Sequence, residues 1–158
     1  MKTKLKQLAL LLFIGVTIGS CKKDETTIDT EYPTIDITAA TAFPRQCSEL
    51  TRGQKFTFRA KFTDNVALGS YSLDIHHNFD HHSHSTEIND CSMAPVKAAI
   101  KPFLFINTFQ IPTGTNSYEA VDEITVPADI DPGDYHFLIK VTDKEGWQTL
   151  KGISIKIK

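Results

Sequence analysis

Five of the chain's six histidines fall within one short segment, Asp74-Ile75-His76-His77-Asn78-Phe79-Asp80-His81-His82-Ser83-His84, and the sixth is His136. Neutral imidazole is a good donor to zinc, copper and nickel, and three or four such rings suffice for a tetrahedral ion with ligands at about 2.0 to 2.1 Å. His82 and His84 are two apart and project from one face of an extended segment. The candidate ligands are therefore His76, His81 or His82, His84 and His136. Asp74 or Asp80 serves either as a further ligand or as the acceptor that holds the second nitrogen of a ligating ring and fixes its tautomer. His77 falls on the core side, where a hydrogen-bonded structural role is expected. Two other readings compete: a solvated polar loop with its own hydrogen-bond network, and a pH-responsive patch of imidazoles titrating near pH 6.5.

Such a cluster needs elements to position it, and the sequence supplies strands. β-Branched and aromatic residues recur in short runs separated by Gly, Pro, Asn and Asp, over residues 34–38, 55–63, 68–79, 103–111, 120–126, 135–142 and 152–158. About seven antiparallel strands predict an all-β, immunoglobulin- or fibronectin-like sandwich, with a jelly roll, which needs an eighth strand, as the runner-up. Alternation turns Tyr71, Leu73 and Ile75 inward and Ser72, Asp74, His76 and Asn78 outward. In the sixth strand it turns Tyr135, Phe137, Ile139 and Val141 inward and His136, Leu138 and Lys140 outward. His76 and His136 are thus expected on exposed faces. In such a sandwich the third and sixth strands pair antiparallel, so the end of one lies beside the start of the other, with opposed Cβ atoms about 5 Å apart. That pairing brings His136 to the cluster.

The N-terminus carries a different signal. Lys2, Lys4 and Lys6 precede an apolar run from Leu8 to Ile18 that is short for a bilayer span, and the run ends in Ile18-Gly19-Ser20-Cys21. Residues 1–20 read as a lipoprotein signal peptide, with Cys21 as the lipidated N-terminus. Residues 21–31 read as a solvated tether, since Lys22 to Glu31 holds one apolar side chain, Ile28. The folded domain is then 32–158. Lys23-Asp24-Glu25 resembles the signal that sends lipoproteins to the outer face of the outer membrane, with a periplasm-facing anchor as the alternative. Export favours oxidised thiols, so Cys47 and Cys91 are expected to form a disulfide rather than to bind metal.

Charge excludes one class of partner. Seventeen Lys and Arg against nineteen Asp and Glu give a net charge of −2, and loss of the signal's three lysines leaves the mature chain more acidic still. No basic surface exists to meet a phosphate backbone, so nucleic acid is not a partner. Membrane contact is expected through the lipid anchor only. The chain is read as a non-enzyme. There is no His-Glu-x-x-His arrangement, no Gly-x-Ser-x-Gly elbow and no phosphate loop. A metallohydrolase would need three histidines, an open position for water, and Asp80 or Glu87 as base. Surface glycan or protein binding by an adhesion module is the alternative function. Asp64-Asn65 and Asp143 gather at the far end of the sandwich, where carboxylates can hold calcium, but they also satisfy turn backbones, which is the reading adopted. Tyr135 and Trp147 either line a sugar site or, as adopted for the lone Trp, close one end of the core.

The run I-H-H-N-F-D-H-H-S-H, preceded by D-N-V-A-L-G-S-Y-S-L-D and followed by G-D-Y-H-F and T-D-K-E-G-W, resembles a Bacteroidetes family of lipoproteins of unknown function. The resemblance covers most of Tyr32 to Lys158. It implies an immunoglobulin-like domain on a lipid anchor and brings no established activity. His76, His81, His82, His84 and His136 occupy the motif positions.

Overall fold

The computed structural model describes residues 28–84 and 91–158. The signal segment, Cys21 and most of the expected tether lie outside the described residues, as does Glu87. Eight strands follow one another: β1 (Thr34–Asp36), β2 (Ser48–Leu50), β3 (Lys55–Thr63), β4 (Leu68–His77), β5 (Phe105–Gln110), β6 (Ser117–Thr125), β7 (Gly133–Asp143) and β8 (Gln148–Ile157). There is no helix among the described residues. A three-stranded sheet, β1-β3-β6, faces a five-stranded sheet, β2-β8-β7-β4-β5. This is an immunoglobulin-like β-sandwich.

Alternation builds the two layers. Phe58 and Phe62 of β3 are fully buried, as are Leu73 and Ile75 of β4 and Tyr135, Phe137, Ile139 and Val141 of β7. Phe58 stacks on Phe137 across the gap between sheets, with ring centroids 5.7 Å apart. The Tyr71 hydroxyl reaches across the core and donates to Asp122 Oδ2 at 2.6 Å. Burial, and then that carboxylate, push the Tyr71 phenol well above its ordinary pKa. Tyr135 donates its hydroxyl to Asp131 O at 2.5 Å and accepts from Phe103 N at 3.2 Å, so it is core and not a sugar platform.

At three points the structure extends what the sequence predicts. The strand count is eight because β2, only three residues long, runs parallel to β8; a run of that length has no alternation to detect. β8 begins at Gln148 and not at residue 152, since Gly152 lies inside the ladder opposite Leu138. The packed region begins by Asp29, ahead of the expected boundary at Tyr32. Asp29 is buried, its carbonyl accepts from Trp147 Nε1 at 2.9 Å, and its Oδ1 accepts from Asn65 Nδ2 at 2.9 Å. Trp147 packs on Tyr32 at that end of the sandwich, with ring centroids 5.0 Å apart.

The expected pairing of the third and sixth long strands holds as β4 against β7, antiparallel, with His76 directly opposite His136. Gly133 opens β7 at φ 142°, and a Cβ there would meet Phe79 Cε1 at 2.8 Å, so only glycine lets the strand start under that ring. Cys47 and Cys91 form the expected disulfide, 44 residues apart in sequence. In the chain-entropy picture a loop of that length contributes on the order of 4 kcal/mol. The bond lies against β8: Cys91 Sγ is 3.9 Å from Ser154 O, and Gln46, beside Cys47, accepts from Ser154 N at 3.0 Å. Ser154 is the ladder partner of His136. The disulfide therefore pins Cys91, beyond the segment that leaves β4, to the strand that pairs with β7 at His136.

Candidate metal centre

His76 and His136 share the outward face of the five-stranded sheet, and the segment after β4 folds back over them. His82 and His84 come with it. All pairwise ring-centroid separations among His76, His82, His84 and His136 fall between 4.6 and 5.6 Å. An ion about 2 Å from one nitrogen of each ring, in tetrahedral geometry, places the centroids about 5 Å apart. One nitrogen from each of the four rings lies within 4.8 Å of the others, and His76 Nε2 and His84 Nε2 are 3.0 Å apart. Tetrahedral zinc ligands stand roughly 3.3 Å from one another.

Two carboxylates fix the rings. Asp74 Oδ1 is 2.8 Å from His76 Nδ1, and Asp80 Oδ1 is 2.6 Å from His82 Nδ1. A carboxylate only accepts, so the proton of each ring sits on Nδ1 and the lone pair is presented at Nε2. Asp74 and Asp80 thus stand behind the histidines and not among the donor atoms. The His82–Asp80 hydrogen bond, ahead of any Coulomb effect, also holds the Asp80 carboxyl below the usual carboxylate range.

His136 departs from expectation in one respect. It lies on the outward face, as alternation requires, yet it is 0% exposed. The returning segment covers it: the His82 and His84 rings sit 4.7 and 4.6 Å from it, and its Nε2 donates to the backbone carbonyl of His82 at 3.1 Å. Asn78, also predicted outward, is buried by the same turn, whose backbone bonds Asp134 O. Burial, followed by the like charges of His84, His82 and His76, pushes the His136 imidazole down to about 4.

His81 is not brought to the cluster. Its backbone adopts φ 58°, which turns the side chain away from those of its neighbours, and its Nε2 lies 2.9 Å from Ala94 O. Of the two adjacent candidates, His82 is the one that joins the other three rings. His77 accepts from Phe79 N at Nδ1 and packs against the Phe79 ring, in keeping with a structural role. What sequence reasoning missed was the closure over His136. Alternation reports which face a residue occupies but not what later covers that face.

The depressed His136 pKa has a thermodynamic sign. The unfolded ring, near 6.5, takes up its proton before the folded one, so this contribution is complete above about pH 6.5 and is lost as pH falls toward about 4. It is of order 3 kcal/mol. Urea unfolding of chelator-treated protein is expected to show stability declining through that window, and His136→Leu to flatten the slope. An unchanged slope in the variant would contradict the assignment.

No curated protein matches the chain. Among solved structures it is similar to the GspB Siglec domain, at 19% identity and a TM-score of 0.43; the match covers 82% of this chain, which spans 59% of the length of that one. A family model matches residues 19–158, which include both β4 and β7 and every histidine of the cluster. The chain therefore belongs to the family described as Domain of unknown function (DUF4625).

Proposed function

We propose that this chain is a lipid-anchored protein of the cell envelope, exposed at the cell surface, that holds one transition-metal ion, zinc or copper, through His76, His82, His84 and His136. The observation that carries the metal reading is the convergence of four imidazoles from two strands and a covering segment, two of them with a carboxylate already on Nδ1. A solvated polar loop has no reason to orient its histidines from behind. Desolvation also suits a cation-binding role, because the buried ring stays neutral at pH 7, the form in which imidazole ligates a metal.

Four protein ligands complete a tetrahedral zinc shell and leave no position for a reactive water. The site thus fits capture, buffering or structural support and not hydrolysis. Export is supported by the Cys47–Cys91 disulfide, which suits an oxidising compartment. Anchoring rests on the Ile18-Gly19-Ser20-Cys21 box, and exposure at the surface on Lys23-Asp24-Glu25.

Calorimetric titration of the full chain, purified without a histidine tag and stripped by chelator, is expected to show one equivalent of zinc or copper bound. Replacing His76, His82, His84 and His136 together by Ala abolishes that binding, while His81→Asn leaves it intact. Asp74→Asn and Asp80→Asn each weaken it by roughly 10- to 100-fold. Equal affinity in the fourfold variant defeats the proposal and moves a glycan- or protein-binding surface module to first place. For the anchor, metabolic labelling with a fatty-acid probe is expected to mark the wild-type chain and not Cys21→Ser; equal labelling of both would overturn it.

A further inference from the structure

A second group of ligating side chains lies at the opposite end of β7. One carboxylate oxygen from each of Asp29, Asp143 and Glu145 lies within 4.8 Å of the others. Acidic clusters are common at sandwich ends, and here a second observation distinguishes the group. Asp29 and Asp143 are 6% and 3% exposed, and Oδ2 of each is buried with no hydrogen-bond partner among the described residues. Their other oxygens are fully engaged. Asp29 Oδ1 accepts from Glu31 N and Asn65 Nδ2, and Asp143 Oδ1 accepts from Gly146 N and Trp147 N. On the adjoining turn, Asp64 Oδ1 is bonded to Val66 N and Ala67 N while its Oδ2 is likewise buried and unpartnered.

Buried carboxylate oxygens without donors are costly, and two on neighbouring acids repel as well. A nearby cation, Lys144, lies against Glu145 at 3.4 Å on the solvent side and reaches neither Oδ2. The chemistry that satisfies several such oxygens at once is a hard divalent cation. Calcium takes carboxylate ligands at about 2.3 to 2.6 Å, so oxygens on opposite sides of one ion stand about 4.8 Å apart. We propose that Asp29, Asp143 and Glu145 bind a calcium ion where the N-terminal segment meets the β7–β8 hairpin, independently of the histidine site. Backbone and Asn65 hydrogen bonds account for the Oδ1 atoms; the ion accounts for the Oδ2 atoms. Bound there, calcium ties the residues that precede β1 to the sheet and fixes the direction in which the tether leaves the domain.

The single tryptophan provides the readout, because Trp147 donates to Asp29 O at 2.9 Å and so stands beside the group. Full chain treated with a calcium chelator is titrated with terbium, exciting the indole, and then with calcium. Saturable sensitised emission displaced by calcium, together with a calcium-dependent rise in melting temperature, is expected. Asp143→Asn keeps the acceptor for Gly146 N and Trp147 N while removing the charge, and is expected to lose both responses with its circular dichroism unchanged. Glu145→Gln, which keeps the shape of the side chain and removes its charge, is expected to weaken calcium binding. The variant lacking the four cluster histidines is expected to respond as wild type, which separates this site from the transition-metal site. Absence of emission and of any thermal shift up to about 10 mM calcium in the wild type overturns the proposal. So does an undiminished response in both Asp143→Asn and Glu145→Gln.

Discussion

The antiparallel pairing of β4 with β7 sets His76 directly opposite His136 on the outward face of the larger sheet. A one-residue slip would send one of the two rings into the core and leave the other on the surface. The register is held from the inner face, where Leu73, Ile75, Phe137 and Ile139 are all fully buried against the three-stranded sheet. The hydrophobic core thus determines the position of a polar pair that it never touches. Everything else in the histidine cluster is added to that pair.

What is added is a cover. The segment leaving β4 turns at Asn78 to His81 and brings His82 and His84 over the sheet, and Cys91 is covalently held to Cys47 beside β8. Closing this cover places His136 out of water, at a cost that a hydrocarbon side chain would avoid. A buried neutral imidazole surrounded by three others is poorly suited to protonation and well suited to a metal ion. Asp74 and Asp80, outside the ring cluster, hold two of the imidazoles in the tautomer that directs Nε2 to it.

Much of this was legible in the sequence because two-residue alternation is a strong signal in long strands. β3 and β7 were found almost to the residue, and with them the meeting of His76 and His136. Alternation also assigned His136 to the correct face, but exposure depends on a non-local event, the return of His82 and His84 over it. The sequence does not choose between His81 and His82, because the choice turns on a single left-handed backbone angle that a polar run does not encode. The short parallel β2 and the burial of Asp29 are not legible locally, since both depend on pairing with residues more than a hundred positions away.

Zinc K-edge X-ray absorption on the full chain loaded with one equivalent of zinc tests the central claim most directly, since it counts and identifies the ligands. The account predicts four nitrogen scatterers at about 2.0 to 2.1 Å with the multiple-scattering pattern of imidazole. A shell of oxygen scatterers with at most one imidazole would contradict it, and would leave the four rings as a hydrogen-bonded cap over His136.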